Sequence, residues 1–163
     1  MRRWGAIAAS SVALALVAAC GGNAEPSGKD WTKTDVCSLI GGEEIATYLG
    51  GKQPHGERTD TNGRPTCLWK ADDFHKFELT VWRPPVPDVF KDKPRRILDV
   101  AGKKGYVTSG TAISCDLDVE ADPAWVGGDV DAQPGPGIDL NNENGTCDKL
   151  AGTLKSVFTK LGW

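Results

Sequence analysis

The chain has 163 residues and a formal net charge of −3, with 25% of its residues charged. This length fits one domain, and mild acidity without a block of Lys and Arg argues against nucleic-acid binding, which needs basic side chains to neutralise phosphates. The two histidines, His55 and His75, are accompanied by no Cys-x-x-Cys or Gly-x-Ser-x-Gly motif, so neither a zinc site nor a hydrolase is favoured.

The N-terminus has the pattern of a bacterial lipoprotein signal. Two arginines precede an uncharged, mostly apolar stretch, residues 5–19, which is shorter than the roughly 20 apolar residues of a membrane span. The stretch ends in Val-Ala-Ala-Cys, an aliphatic residue and two small residues before the cysteine that would receive diacylglycerol. We expect residues 1–19 to be a signal peptide and lipid on Cys20 to hold the protein on the extracytoplasmic face of the cell membrane. An ordinary secretory signal is the alternative.

The segment after Cys20 is small and polar, which is typical of a flexible tether. We therefore predict a tether over residues 20–33 and a single domain over residues 34–163. Cleavage would remove two arginines, so the net charge of the mature chain would be −5.

A helix is predicted over residues 35–49, interrupted at Gly41-Gly42 and ended by Gly50-Gly51. Residues 51–65 lack periodicity and are predicted as a loop. Two strands are then predicted at 67–69 and 77–82, with a turn at 72–73 between them, and a second hairpin at 97–101 and 106–108, with its turn at 102–105.

Residues 113–131 give the clearest pattern, because apolar and acidic residues alternate on both sides of a turn at 120–123. Pairing the two strands around that turn assigns each set of side chains to one face of a half-buried sheet. The face predicted to be buried carries Ile113, Cys115, Leu117, Val119, Val126 and Val130. The opposite face, called the acidic face below, carries Asp116, Asp118, Trp125, Asp129 and Asp131.

The last element is an amphipathic helix over residues 147–161, whose apolar residues recur at i, i+3, i+4 and i+7. Thr146 is predicted to cap its start and Gly162 to end it.

The four cysteines that remain after Cys20 indicate two disulfides in an exported domain, and four cysteines allow three pairings. We predict the pairing in which each bond joins a helix to the sheet, namely Cys37–Cys67 and Cys115–Cys147.

These motifs together resemble the actinobacterial lipoproteins grouped as domain of unknown function 3558. The matching segments are the lipobox, Cys-Ser-Leu-Ile at 37–40, a Glu-containing helix ending in Leu-Gly at 43–50, Cys-Leu-Trp at 67–69, Cys-Asp-Leu at 115–117 and the helix at 147–161. Gly41-Gly42 departs from that pattern, in which Ser, Thr or Pro is expected before the helix. The resemblance implies location and fold, and because the family has no assigned activity it implies no catalytic residue.

The acidic face is the candidate ligand surface, together with Trp82, which also points outward by alternation. Carboxylates beside an aromatic ring can hold a divalent cation or a cationic ligand. A solvated polar face, with the tryptophans covered by loops, explains the same residues, and it is the interpretation that the sequence favours. No catalytic residue, metal or cofactor is predicted.

The sequence thus predicts an α+β domain: a twisted, mainly antiparallel sheet with an N-terminal and a C-terminal helix packed on one face, and two disulfides. The predicted function is a non-catalytic binding or interaction module of the cell envelope, which contacts the membrane through its lipid and an envelope protein or small ligand through its surface. The alternative is an envelope enzyme acting on cell-wall material. A deep pocket with two interacting titratable groups would favour the enzyme, and a shallow apolar patch the binder.

The anchor can be tested by Cys20→Ala. The variant should take up no lipid and should leave the membrane fraction, because acyl chains supply the anchoring energy. Fatty-acid labelling followed by membrane fractionation measures both effects. The anchor would be contradicted if the wild type takes up no lipid and the variant stays in the membrane fraction.

Overall fold

Seven antiparallel strands form the sheet that organises the chain in the computed structural model, which describes residues 31–82, 89–136 and 138–163. The predicted signal peptide and Cys20 lie outside the described residues. The strands are β1 Glu57–Thr61, β2 Arg64–Lys70, β3 Lys76–Trp82, β4 Arg96–Val100, β5 Lys103–Gly110, β6 Ser114–Ala121 and β7 Ala124–Asp131. The helices are two 3-10 turns, Trp31–Lys33 and Val36–Ser38, with α1 Gly42–Ala46, α2 Val89–Asp92 and α3 Gly145–Leu161.

The strand order is β1-β2-β3-β7-β6-β5-β4, so two runs of consecutive hairpins meet where β3 pairs with β7. The predicted α+β architecture is confirmed, with the N-terminal and C-terminal helical segments on one face of the sheet. No helix in the described parts of the chain is long and apolar enough to cross a membrane.

The N-terminal region differs from its prediction in three places. Trp31 belongs to a 3-10 turn and packs against Trp163 with ring centroids 6.1 Å apart, so the tether ends earlier than predicted. The helix over 35–49 is interrupted at Gly41 as predicted, where the backbone is extended (φ −78°, ψ 152°), but its first piece is only a 3-10 turn and its second ends at Ala46. The predicted loop contains β1, a strand that is exposed along its whole length and therefore shows no apolar alternation.

Three smaller predictions are also wrong. The turn between β4 and β5 is Ala101-Gly102, both at positive φ, which is the geometry of a two-residue hairpin turn. Ile113 precedes β6 and is 38% exposed, so it does not join the buried face. Thr146 does not cap α3, since its hydroxyl donates to the carbonyl of Ala112 at 2.6 Å; Gly162 does end the helix, at φ 78°.

The core lies between the helices and the inward face of the sheet. Alternate residues of β3, β6 and β7 are buried, as predicted: Phe77, Leu79, Val81, Cys115, Leu117, Val119, Val126 and Val130. The side chains of α3 that cover them are Leu150, Leu154, Val157, Phe158 and Leu161. Tyr48 follows α1, stacks edge-on against Phe77 at 5.0 Å, and shares a 2.8 Å hydrogen bond with Thr153 of α3. This contact joins the two helical segments under the sheet.

Two disulfides fix both helical segments to the sheet. They join Cys37 to Cys67 and Cys115 to Cys147, which is the predicted pairing. Each bond closes a similar length of chain, with separations of 30 and 32 residues, so each is worth on the order of 3–4 kcal/mol in the chain-entropy model.

The seating of α3 on β7 can be tested with two glycines. A Cβ at Gly128 would lie 2.9 Å from Leu150 Cδ1, whereas a Cβ at Gly152 on the exposed side of α3 has no atom within 4 Å. Gly128→Ala should lower the free energy of unfolding by about 1–3 kcal/mol through overpacking. Gly152→Ala should raise it by about 0.5–1 kcal/mol through helix propensity. Urea unfolding measures both, and equal effects of the two changes would contradict this packing.

Candidate functional site

The centre of the outward face of the sheet is acidic because three paired strands contribute carboxylates side by side. The strand register places Asp129 of β7 between Asp116 of β6 and Glu78 of β3. One row along, Gly127 of β7 is directly opposite Asp118 of β6. Residues directly opposite each other on antiparallel strands have Cβ atoms about 4.5–5.5 Å apart, so these carboxyl groups share one small area.

These strands form a half-open pocket of about 220 Å³, called the outer pocket. Its walls are formed by Glu78, Thr80, Trp82, Asp116, Asp118 and Asp129, and its floor by Gly127 and Gly128. Pockets for drug-sized ligands occupy roughly 300–1,000 Å³, so the outer pocket is limited to a small molecule or a small headgroup.

Gly127 creates the space for the outer pocket. A Cβ at this position would lie 2.6 Å from Asp118 Oδ1 and 3.3 Å from Trp82 Nε1, which is too close for any other residue without rearrangement. The missing side chain therefore allows Asp118 to lie across β7 and brings the indole nitrogen edge of Trp82 to the same floor.

Asp118 is the most unusual group in the outer pocket. Only 3% of the residue is exposed, and its Oδ2 is buried with no hydrogen-bond partner in the described residues. Burial, together with the negative charges of Asp116 and Asp129, raises its pKa to about 7. The Asp118 carboxyl group can therefore bind or release a proton near neutral pH.

Within the described parts of the chain, the neighbouring carboxylates have hydrogen-bond partners that Asp118 Oδ2 lacks. Thr108 donates its hydroxyl to Asp116 at 2.6 Å, although burial still raises the Asp116 pKa. Lys76 binds Asp129 at 2.8 Å and lies 3.9 Å from Asp131. Among the described residues, Asp116 thus has a hydroxyl partner, Asp129 has an ammonium partner, and Asp118 Oδ2 has none.

The structure divides the predicted ligand residues into two groups. Asp116, Asp118, Asp129 and Trp82 line the outer pocket, and Asp131 lies just beyond it with its side chain 45% exposed. Trp125 does point outward, but it is buried, because Tyr106 stacks on it at 5.5 Å and the Lys91 ammonium lies 5.2 Å from its ring. Trp125 therefore does not line the outer pocket, and its role as a ligand residue stays a prediction.

The expectation of a solvated acidic face fails for Asp118, which is buried, whereas the side chains of Asp129 and Asp131 are 43% and 45% exposed. Sequence analysis missed Glu78 and Thr80 as pocket residues, although they alternate with Trp82 along β3. That alternation indicates the outward face and does not reveal that β3 pairs with β7. Gly127 falls within the alternating pattern of residues 113–131, and nothing in the sequence marks it as a pocket floor.

The chemistry available in the outer pocket is that of carboxylates. Within residues 31–82, 89–136 and 138–163, no group of three or more His, Cys, Asp or Glu is placed to hold a metal ion. His75 binds Asp72 at 2.7 Å at the turn before β3, outside the outer pocket. The outer pocket can accept hydrogen bonds, attract positive charge and exchange a proton near neutral pH.

Asp118→Asn tests the burial of this carboxyl group. Its pKa is about 7 in the folded chain and near 3.8 when unfolded, so the folded state holds the proton more tightly and loses stability as pH rises from about 4 to 7. A pKa difference of one is worth about 1.4 kcal/mol. The variant should be more stable than the wild type by up to about 4 kcal/mol at pH 8, with a gain that shrinks towards pH 4.

Urea unfolding at several pH values, followed by Trp fluorescence, measures this difference. Asp60→Asn on the exposed strand β1 is the matched control and should change stability little at any pH. A difference between Asp118→Asn and the wild type that stays constant with pH would contradict the raised pKa.

Comparisons with known proteins identify no relative of this chain. No family model matches the sequence, and no curated protein and no solved structure matches it significantly. The resemblance to the actinobacterial lipoproteins therefore stays a prediction from the motifs, and the outer pocket is interpreted from its own geometry.

Proposed function

We propose that this chain is a lipid-anchored, extracytoplasmic binding protein of the cell envelope and that its ligand occupies the outer pocket. The observation that carries the proposal is the buried Asp118 carboxylate, whose Oδ2 has no hydrogen-bond partner in the described residues and which lines a pocket of small-molecule size. A buried polar atom without a partner costs stability, and such costs concentrate at functional sites.

The position of the outer pocket supports a binding role. It lies on the central strands β3, β7 and β6, which are held from the other face by α3 and one disulfide. Groups fixed on strands keep their geometry without a ligand, which reduces the entropy lost on binding.

The anchor rests on the N-terminal pattern. A lipobox cysteine, a polar tether and two disulfides agree with a domain held outside the cytoplasm, since disulfides persist in oxidising compartments. Under this proposal the chain contacts the membrane through lipid on Cys20 and a small ligand through the outer pocket. In a broader form of the proposal, it also contacts an envelope protein through another part of its surface.

An envelope enzyme is the second candidate, and one observation favours it. The outer pocket contains two interacting carboxyls, Asp116 and Asp118, and the pKa of Asp118 lies near the pH at which a general acid or base works best. Such a pair would serve acid–base chemistry on cell-wall material. The small volume of the outer pocket favours the binding role, because a polymer chain needs a longer cleft.

The binding role can be tested by filling the outer pocket with Gly127→Ala. The full chain would be purified from its own envelope, and native mass spectrometry would record small molecules that remain bound. A bound molecule should be present on the wild type and on the Gly152→Ala control, and should be lost from Gly127→Ala. Asp118→Asn provides a second variant that keeps the backbone unchanged.

Two outcomes would overturn the binding role. One is the same set of bound small molecules on the wild type, Gly127→Ala and Asp118→Asn. The other is turnover of cell-wall fragments by the wild type that Asp118→Asn abolishes, which would establish the enzyme.

A further inference from the structure

We infer that the outer pocket binds a primary ammonium group of a small ligand, which donates a hydrogen bond to the Asp118 carboxylate. The inference deepens the proposed function and rests on it. Asp118 is 3% exposed, lines the outer pocket, and has no hydrogen-bond partner for its Oδ2 in the part of the chain that the structure describes.

The sign of the ligand charge follows from the lining. The described lining residues include four carboxyl groups, those of Glu78, Asp116, Asp118 and Asp129, and no basic side chain. Lys76 reaches only the rim, where it binds Asp129. A phosphate or carboxylate ligand would be repelled, whereas a cation would relieve the repulsion among these groups.

The ligand must also donate hydrogen bonds. The atom without a partner is an acceptor, and a carboxylate oxygen forms its strongest hydrogen bonds with charged N–H donors. A quaternary ammonium has no N–H and needs the faces of aromatic rings. Trp82 instead directs its nitrogen edge to the floor of the outer pocket, and the Arg64 guanidinium lies 4.5 Å over its ring. The geometry therefore favours a primary over a quaternary ammonium.

The protein already contains the proposed contact one row away. The Lys76 ammonium lies 2.8 Å from Asp129 on the same face of the sheet, which is the length of a charge-assisted hydrogen bond. Tyr106 of β5 and Gly127 of β7 are the residues directly opposite Asp118, so neither neighbouring strand places a cation opposite this carboxyl group. A ligand amine in the outer pocket would donate a charge-assisted hydrogen bond to Asp118, as Lys76 does to Asp129.

A divalent metal ion fits this pocket less well. Calcium takes six to eight oxygen ligands and magnesium needs a near-octahedral set. No described group of side chains converges in this way. One N–H donor satisfies the single unmatched oxygen, and the small volume admits a short alkylamine.

The affinity should depend on pH through Asp118. Other titratable groups face it or its neighbours from the paired strands: Glu78 of β3, Lys104 and Tyr106 of β5, Asp116 and Glu120 of β6, and Asp129 of β7. Lys76 binds Asp129, and Lys91 binds Glu120. An alkylammonium keeps its proton well above pH 8, as lysine does with a pKa of about 10.4. Binding should therefore be tighter at pH 8, where Asp118 is charged, than at pH 6, where it is mostly protonated.

The experiment titrates the purified, disulfide-bonded full chain at pH 8 with ethanolamine, choline and ethylene glycol, by calorimetry and NMR. Ethanolamine should bind, choline should bind at least tenfold more weakly, and ethylene glycol should not bind. Asp118→Asn should weaken ethanolamine binding at least tenfold, and Asp60→Asn should leave it unchanged. Unfolding is measured on the same samples, so that a loss of ethanolamine binding in Asp118→Asn is distinguished from a loss of folded protein.

The source of the amine is decided by a second arm. Chain retained on phosphatidylethanolamine vesicles, but not on phosphatidylcholine vesicles, in a manner that requires Asp118 would identify a lipid headgroup. Binding of ethanolamine without such retention would identify a free amine. Either result supports the ammonium site.

Choline binding as tight as ethanolamine binding, or unchanged ethanolamine affinity in Asp118→Asn, would overturn the inference. If ethanolamine fails to bind while an envelope molecule is still lost from Gly127→Ala, the ammonium class is wrong and the binding function stands. If neither binds, both proposals fall.

Discussion

The pairing of β3, β7 and β6 determines both faces of this domain. Because side chains alternate along a strand, the same register that turns Phe77 and Leu117 into the core turns Asp118 and Asp129 outward. A slip of one residue would exchange the two sets. One strand register therefore fixes both the core and the outer pocket. The dense packing of α3 on the inward face of the sheet also holds the carboxylates of the outward face in place.

Two adjacent glycines show how closely the faces are coupled. Gly128 points inward, where a Cβ would meet Leu150 of α3, and Gly127 points outward, where a Cβ would meet Asp118. These two adjacent glycines thus provide the contact surface for α3 on one face of β7 and the floor of the outer pocket on the other. Glycine in a central strand lowers stability, and at both positions the lost side chain is replaced by a group from another element. The weakening of β7 is offset by contacts on both sides.

The alternation on β6 and β7 predicted most of this arrangement, since it distinguished the buried face from the acidic face and placed Cys115 under α3. It could not predict neighbours across the sheet. Lys76 meets Asp129 across 53 residues of sequence, and Tyr106 covers Trp125 because β5 pairs with β6. Strand β1 escaped notice because none of its residues is buried. Periodicity assigns a residue to a face, whereas burial and pKa depend on which strands lie beside it.

The energies explain why such a pocket is tolerated. A carboxyl group with its pKa raised to about 7 lowers the stability of the folded state by up to about 4 kcal/mol above neutral pH. The Cys115–Cys147 bond, which links the strand of Asp118 to α3, contributes a comparable 3–4 kcal/mol. A ligand cation beside Asp118 would lower its pKa and return part of that penalty as binding energy. The destabilisation by Asp118 and the affinity proposed for a ligand would then have the same physical origin, the unmatched oxygen of one buried carboxylate.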